Sequence, residues 1–378
     1  MNAGRPVAIA GVGYSTVARS TDLTWQELMV EAVTAALADA GLNPTDVDGM
    51  TSMGGNALGD AAMLGVPQLD WYAQFDFGAA FIEPAINAVA AIAAGFCDAC
   101  VAVRVIKKGG FAPAAEQQGR RIPTAMGSDL PFGLACGAGG PSFAALMAQR
   151  HMHLYGTTEQ QFGAHAVAQR SFAALNDDAL LRDPLTIDDY LASRVIARPI
   201  RMLDCDYPCD AASAVVFTTG ERARDLAQRP VLVESAALVG LGEPSFDLVD
   251  DLTANAPAAA AKRLWARTDL RPTDVDTAHL YDGFSIITFQ WLEALGFCGP
   301  GEAGPFVEAG HTSPGGSLPV NTDGGACNVG RRHGANYCIE AVRQLRGDAG
   351  ARQIEGTEVS VWSNAVGYFG GAMVLTRG

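Results

Sequence analysis

The sequence predicts an α/β protein built from two copies of one strand–helix–turn–strand unit. Three observations predict it. The pentapeptide Pro-Thr-Asp-Val-Asp occurs at residues 44–48 and again at 272–276, 228 residues apart. Each copy follows a short apolar run and an alanine-rich helical pattern, and the two apolar runs, 6–12 and 230–241, start 224 residues apart. Each copy also leads into another short strand-like segment. A lone five-residue match is weak, but a match set in the same order of elements marks an internal duplication.

Residues 6–12, PVAIAGV, read as a buried strand because they are short and apolar and are closed by glycine and serine. From Thr24 to Gly41, Leu28, Val30, Val33, Ala36 and Leu37 fall at helical spacing, and Gly41 is the stop. Residues 43–48 turn into a second strand near 49–53, and a helix at 84–95 precedes a strand at 97–105. The second half repeats the order with a strand at 230–241, a helix at 255–268, a strand at 277–282, a helix at 335–347 and a strand at 357–364. Residues 106–205 do not fit the repeat. Within them 109–141 read as a long loop region, which in a compact protein is usually functional, 143–155 and 158–175 as helices, and 176–204 as an irregular return. A strand at 215–219 closes the first half. The expected domains are 1–225, with an insertion at about 106–205, and 226–378.

Composition excludes several classes. The 378 residues are 49% hydrophobic and 18% charged, enough for a large core. A formal net charge of −15 argues against a general nucleic-acid surface. The eight cysteines hold no pair of CxxC motifs and read as buried reduced thiols of a cytoplasmic protein. The N-terminus enters a strand with no signal-peptide pattern, and no run of about 18 apolar residues predicts a membrane span. His151 and His153 stand two apart on a helix, a spacing that does not make a metal pair.

The chemistry concentrates in Gly324–Gly347, GGACNVGRRHGANYCIEAVRQLRG. Gly324, Gly325, Gly330 and Gly334 let the backbone turn tightly and approach a ligand, and Arg331, Arg332 and His333 sit among them. A glycine loop feeding a helix offers free N–H groups to an anion or a developing oxyanion. The plain alternative is a loop-to-helix turn with surface arginines. Tyr281-Asp282-Gly283 ends a strand; Tyr281 could simply cap it, and Asp282 could hold an Asx turn. Tyr337 reads as core and Asn321 as a turn former.

Four segments carry a resemblance over essentially the whole chain. They are TDLTWQELMVEAVTAALADAGLNPTDVD, DYLASRVIARPIRMLDCDYPCDAASAVV, HLYDGFS and LPVNTDGGACNVGRRHGANYCIEAVRQLRG. The chain resembles the thiolase superfamily in its lipid-transfer-protein-like branch. That resemblance implies a five-layered αβαβα fold from two duplicated halves, a homodimer, and an acyl-CoA substrate held between the halves, with no cofactor other than that coenzyme A. The departures matter as much. The position of the thiolase nucleophile falls on Gly78, and no cysteine lies in residues 1–96. The second thiolase cysteine region is Ser363–Phe369, which holds none. Tyr281 and Arg331 stand where thiolases carry the Asn of NEAF-type and the His of GHP-type motifs.

With no thiolate to carry an acyl group, ping-pong condensation is not available. The pattern is similar to thiolase-like aldolases that split steroid side chains, which work with a small DUF35 (OB-fold) protein in a heterotetramer. This implies a retro-aldol lyase that takes a 17-hydroxysteroid-CoA to a 17-ketosteroid and propionyl-CoA or a similar short acyl-CoA. Tyr281, Arg331, His333 and Asp282 would be catalytic. Gly78, Ala79, Gly325, Gly330 and Arg332 would bind substrate or oxyanion. Arg331 could instead meet a CoA phosphate or an internal carboxylate. A tyrosine beside an arginine is expected to have its pKa lowered, which suits a base. The alternatives are a condensing enzyme with another group in place of the cysteine, or a non-catalytic acyl-CoA or lipid scaffold.

Overall fold

The computed structural model describes residues 4–75, 80–107, 139–242 and 249–378. The long loop region expected at 109–141 thus lies largely outside the described residues, as do Gly78, Ala79 and Cys136.

Nine strands form one sheet: β1 (Val7–Tyr14), β2 (Gly49–Met53), β3 (Trp71–Phe75), β4 (Ala99–Ile106), β5 (Ala211–Thr219), β6 (Val231–Gly240), β7 (Thr277–His279), β8 (Val359–Asn364) and β9 (Phe369–Arg377). Their spatial order is β3-β2-β4-β5-β1-β6-β9-β8-β7. The order is nearly a palindrome about the β1–β6 seam, where Ala8 faces Leu232 and Ile9 faces Val231 in antiparallel register. β2 runs parallel to β4, and β7 parallel to β8. β3 flanks β2; on β7 the same place is taken by a parallel bridge from Ala278 to Val320.

The repeated Pro-Thr-Asp-Val-Asp makes the same structure twice. Its first three residues form a 3₁₀ turn, Pro44–Asp46 and Pro272–Asp274. Its last aspartate then caps the next parallel strand. Asp48 accepts from the Asp98 and Ala99 N–H groups at 2.8–3.0 Å, and Asp276 from those of Glu358 and Val359 at 2.8 and 2.9 Å. The motif recurs because each half needs a carboxylate for the orphan N–H groups where a parallel strand begins.

The main helices are α1 (Trp25–Ala40), α2 (Ala57–Leu64), α3 (Ile82–Ala94), α4 (Gly140–Tyr155), α5 (Glu159–Ala173), α6 (Ala256–Trp265), α7 (Ser285–Ala294) and α8 (Ala335–Arg346). α1 opens with a capping box, Thr24 and Glu27 each bonding the other's backbone, and closes on left-handed Gly41. It covers β1, β4 and β5, while α6 covers β6 and β9. α3 and α8 lie between the halves, and each touches strands of both. The packing is therefore helix, sheet, helix, sheet, helix, with one apolar cluster on each side of the central pair and one around it. Alanine at many of the buried helical positions, such as Ala32, Ala36, Ala85, Ala88 and Ala341, lets helix and sheet layers approach closely. No helix among the described residues is long and apolar enough to cross a membrane.

Replacing Asp276 by alanine strands two N–H groups at the start of β8. We expect a loss of about 2 kcal/mol, the scale of hydrogen bonds to a charged group, read as a lower urea midpoint.

Candidate active site

Strand β7 ends at His279, and Asn321 grips the next turn. The Asn321 side chain accepts from Leu280 N at 2.6 Å and donates to Leu280 O at 2.8 Å, as a neighbouring strand would. Its φ of +52° is left-handed, a conformation asparagine tolerates better than most residues. This clamp fixes the direction in which Tyr281 and Asp282 leave the sheet.

Asp282 is wholly buried. Its Oδ1 accepts from the Tyr337 hydroxyl, in a short contact, and from Ala326 N at 2.9 Å. Its Oδ2 has no partner among the described residues. Burial pushes the carboxyl up to about 7, opposed by those two donors and reinforced by the charges of Asp323 and Asp206. A Cβ on Gly325 would stand 2.0 Å from Asp282 Oδ2 and 2.8 Å from Gln169 Oε1, so only glycine fits there. Gln169, on α5, points Oε1 at that spot because its Nε2 donates to Val320 O at 3.0 Å. Asp282 is thus an interior ligand of three elements rather than an Asx turn.

Tyr281 is half-buried, and its hydroxyl folds over Gly283. The expectation of a lowered pKa fails. Burial raises it first, the nearby Asp206 carboxylate raises it further, and Arg331 only partly offsets them. Tyr281 therefore keeps its proton at neutral pH. Asp206 pairs with Arg331, Oδ2 to Nε at 3.2 Å, and its backbone N–H donates to Gly283 O at 3.2 Å. Of the partners open to Arg331 in the sequence, an internal carboxylate is one it has.

Arg331 also reaches His333, Nη2 to Nε2 at 2.7 Å, and the other face of that ring meets Arg104 Nη2 at 3.1 Å from Nδ1. A neutral imidazole has one lone pair, so it can accept from only one of the two guanidiniums. Arg104 lies on β4, almost fully buried, and burial followed by the Arg331 charge lowers its pKa to about 9. The row Arg104–His333–Arg331 is thus rich in donors and positive charge. His333 has φ +53°, and its carbonyl accepts from Phe81 N at the start of α3 at 3.1 Å.

Arg332 is not brought to this cluster. It turns the other way, over the Tyr14 ring at 4.1 Å, and donates to Val329 O at 3.2 Å. Gly330 adopts φ +94° beside Cys209, and Gly324 and Gly325 shape the turn before it. Cys327 Sγ donates to Asp282 O at 3.3 Å, and burial raises its thiol well above its ordinary range, so it is no thiolate. Among the described residues no three His, Cys, Asp or Glu side chains are grouped to hold a metal ion. A shallow groove of about 330 Å³ between α1 and α2, lined by Leu23, Val30 and Met63 among others, includes no residue of the cluster.

Sequence reasoning missed Arg104, Asp206 and Gln169 and took Tyr337 as core alone. Arg104 had a signal: a lone cation in the apolar strand ACVAVRVI. Tyr337 is core in its ring and polar at its tip.

Residues 242–376 match the family model of the thiolase C-terminal domain-like group. The chain is 39% identical over 357 residues to a 17-hydroxy-3-oxo-4-pregnene-20-carboxyl-CoA lyase of Mycobacterium tuberculosis, covering 90% of this chain and 91% of that protein. The chain belongs to the thiolase superfamily. It is also 35% identical over 356 residues to a steroid side-chain-cleaving aldolase of Thermomonospora curvata, with 90% of each chain covered. A solved Ltp2-ChsH2(DUF35) aldolase superposes with a TM-score of 0.90 at 31% identity, covering 100% of this chain and 99% of that one. This superfamily member therefore shares the whole layered frame of an aldolase as well as the C-terminal signature.

The Asp282 carboxyl gives a pH signature. Its folded pKa of about 7 lies above the unfolded value of about 3.9, so the stability it confers is complete in acid and is lost as pH rises through about 7. Asp282→Asn removes that titration. The melting temperature of Asp282→Asn relative to wild type should rise between about pH 4 and pH 7 and level off above that; a flat difference throughout would place the carboxyl's pKa near its ordinary value.

Proposed function

We propose that the chain is a lyase that cleaves a β-hydroxyacyl-CoA side chain from a steroid by a retro-aldol reaction. A 17-hydroxysteroid carrying a 20-carboxyl-CoA would give a 17-ketosteroid and propionyl-CoA. The observation that carries the reading is the meeting of Tyr281, which keeps its proton, and the Asp206 carboxylate with the cationic row of Arg104, His333 and Arg331. The lyase and aldolase relatives that match over nine-tenths of the chain support it.

Retro-aldol cleavage needs a base for the β-hydroxyl proton and stabilisation of the enolate that forms at the thioester. Because Tyr281 is protonated at rest, it acts as a relay. Its hydroxyl takes the substrate's proton as it passes its own to Asp206, a carboxyl that burial raises and that therefore accepts a proton readily. The substrate O–H bond breaks and the ring ketone forms. The bond between ring carbon 17 and the α-carbon breaks, and its electron pair moves to the thioester as an enolate. Arg104, His333 and Arg331 stabilise that charge. The proton then returns along the same path to the α-carbon, giving the acyl-CoA. Protons balance, and no cofactor is needed beyond the coenzyme A that the substrate carries. Asp282 and Tyr337 hold Tyr281 in place from behind: the two tyrosine rings meet edge to face with centroids 6.1 Å apart.

The solved aldolase containing a DUF35 protein supports the same kind of partner for this chain. A homodimer is supported by β3. It ends the sheet, its outer edge is unpaired among the described residues, and Tyr72 on it is exposed.

The test is direct. The chain, co-expressed with a DUF35 partner, receives 17-hydroxy-3-oxo-4-pregnene-20-carboxyl-CoA, and mass spectrometry follows the products. Appearance of a 17-ketosteroid with propionyl-CoA is expected; intact substrate would sink the reading. Tyr281→Phe and Asp206→Asn should each lower kcat by about 100-fold or more, the range of an acid–base group. Near wild-type turnover in a folded Tyr281→Phe variant removes that residue from the mechanism.

A further inference from the structure

One polar side chain beside the cluster is used by nothing described above. Asn364 ends β8 with 0% exposure, and among the described residues neither Oδ1 nor Nδ2 has a partner. A buried amide without partners is costly, and such groups persist where something else is gained.

Its surroundings say what. Strand alternation puts Asn364 on the face of Trp362, which packs in the central cluster, its ring centroid 6.4 Å from that of Phe81 before α3; Val361 faces the outer cluster instead. Gly371, the cross-strand partner of Asn364, lies against Ile82, the first residue of α3. A Cβ on Gly334 would stand 1.8 Å from Asn364 Nδ2, so the absence of a side chain at Gly334 makes room for the amide directly beside His333. The two neighbouring backbones, His333 at φ +53° and Ala365 at φ +68°, are both held left-handed, strain of the kind that clusters where geometry serves a ligand.

We propose that Asn364 is a catalytic residue: its Nδ2 donates to the thioester oxygen of the acyl-CoA, a neutral donor beside the positive row that contains His333. The inference rests on the acyl-CoA reading above and deepens it. A neutral donor fixed before the reaction stabilises the oxygen as it becomes an enolate and costs no reorganisation at that moment. The thioester oxygen also supplies the partner that the buried amide lacks.

The experiment needs no turnover. Propionyl-CoA is compared with S-propyl-CoA, a thioether without the carbonyl oxygen, by calorimetry on the full chain with its partner protein. Wild type should bind the thioester about 5- to 10-fold more tightly, the ratio one net hydrogen bond provides. In Asn364→Leu, which keeps the volume, that ratio should fall about fivefold, and the variant should melt at a higher temperature because a partnerless amide is gone. Asn364→Ala, which also lacks a side-chain donor, gives the same reading should the leucine variant not fold. A ratio unchanged by either substitution overturns the proposal. The two readings also separate. If the ratio depends on Asn364 but the steroid thioester stays whole, the thioester contact stands and the aldolase reading falls. If cleavage proceeds and the ratio ignores Asn364, only the contact falls.

Discussion

The buried carboxylate of Asp282 is the tie on which the centre of the molecule depends. Its Oδ1 takes the Tyr337 hydroxyl from α8 and the Ala326 N–H from the glycine loop, and its backbone continues from β7. The end of β7 is thus pinned through one oxygen atom to a loop and helix 44 and 55 residues further along the chain. Removing either donor would leave a buried charge short of partners, which is far more costly than a missing surface contact. The glycines of the loop follow from the same constraint, since a side chain at Gly325 would occupy the space of Asp282 Oδ2.

Around this tie the cluster divides its labour by charge. Carboxyls lie on one side, at Asp206 and Asp282, and cations on the other, at Arg104 and Arg331 with His333 between them. Burial decides how each behaves. It raises the carboxyls and Tyr281, and it lowers Arg104. The Arg331 charge pulls Tyr281 toward ionisation, but desolvation outweighs one partly offset charge. This is why proximity to an arginine, implied by the resemblance, gave the wrong direction for Tyr281. A resemblance can suggest a neighbour but cannot say how much water it excludes.

The fold was legible because its signals are local and repeated. Apolar runs, glycine stops and the twice-used Pro-Thr-Asp-Val-Asp turn located strands and helices to within a few residues, as with α1 against the reading of 24–41 and β8 against 357–364. Larger errors came at ends set by tertiary contacts. β5 starts at Ala211, four residues before the predicted 215, because β4 pairs along it to that point and β1 as far as Ser213. β7 stops at His279, three residues before the predicted 282, because the Asn321 side chain takes over the backbone of Leu280.

By itself the sequence determined the α/β class and the family resemblance, showed the repeated strand–helix–turn–strand order, and pointed to Tyr281–Asp282 and Gly325–His333 as the segments to look at for chemistry. These follow from periodicity and from residue types that only certain backbones or reactions require. The tertiary structure decided which side chains meet. It turned Arg331 into the cluster and Arg332 out of it, although the two are adjacent in the chain. It brought in Arg104 from β4 and Asp206 from just beyond the insertion, and it left Asn364 buried beside Gly334. Side-chain direction and desolvation depend on every layer packed around a residue, and no local pattern encodes them.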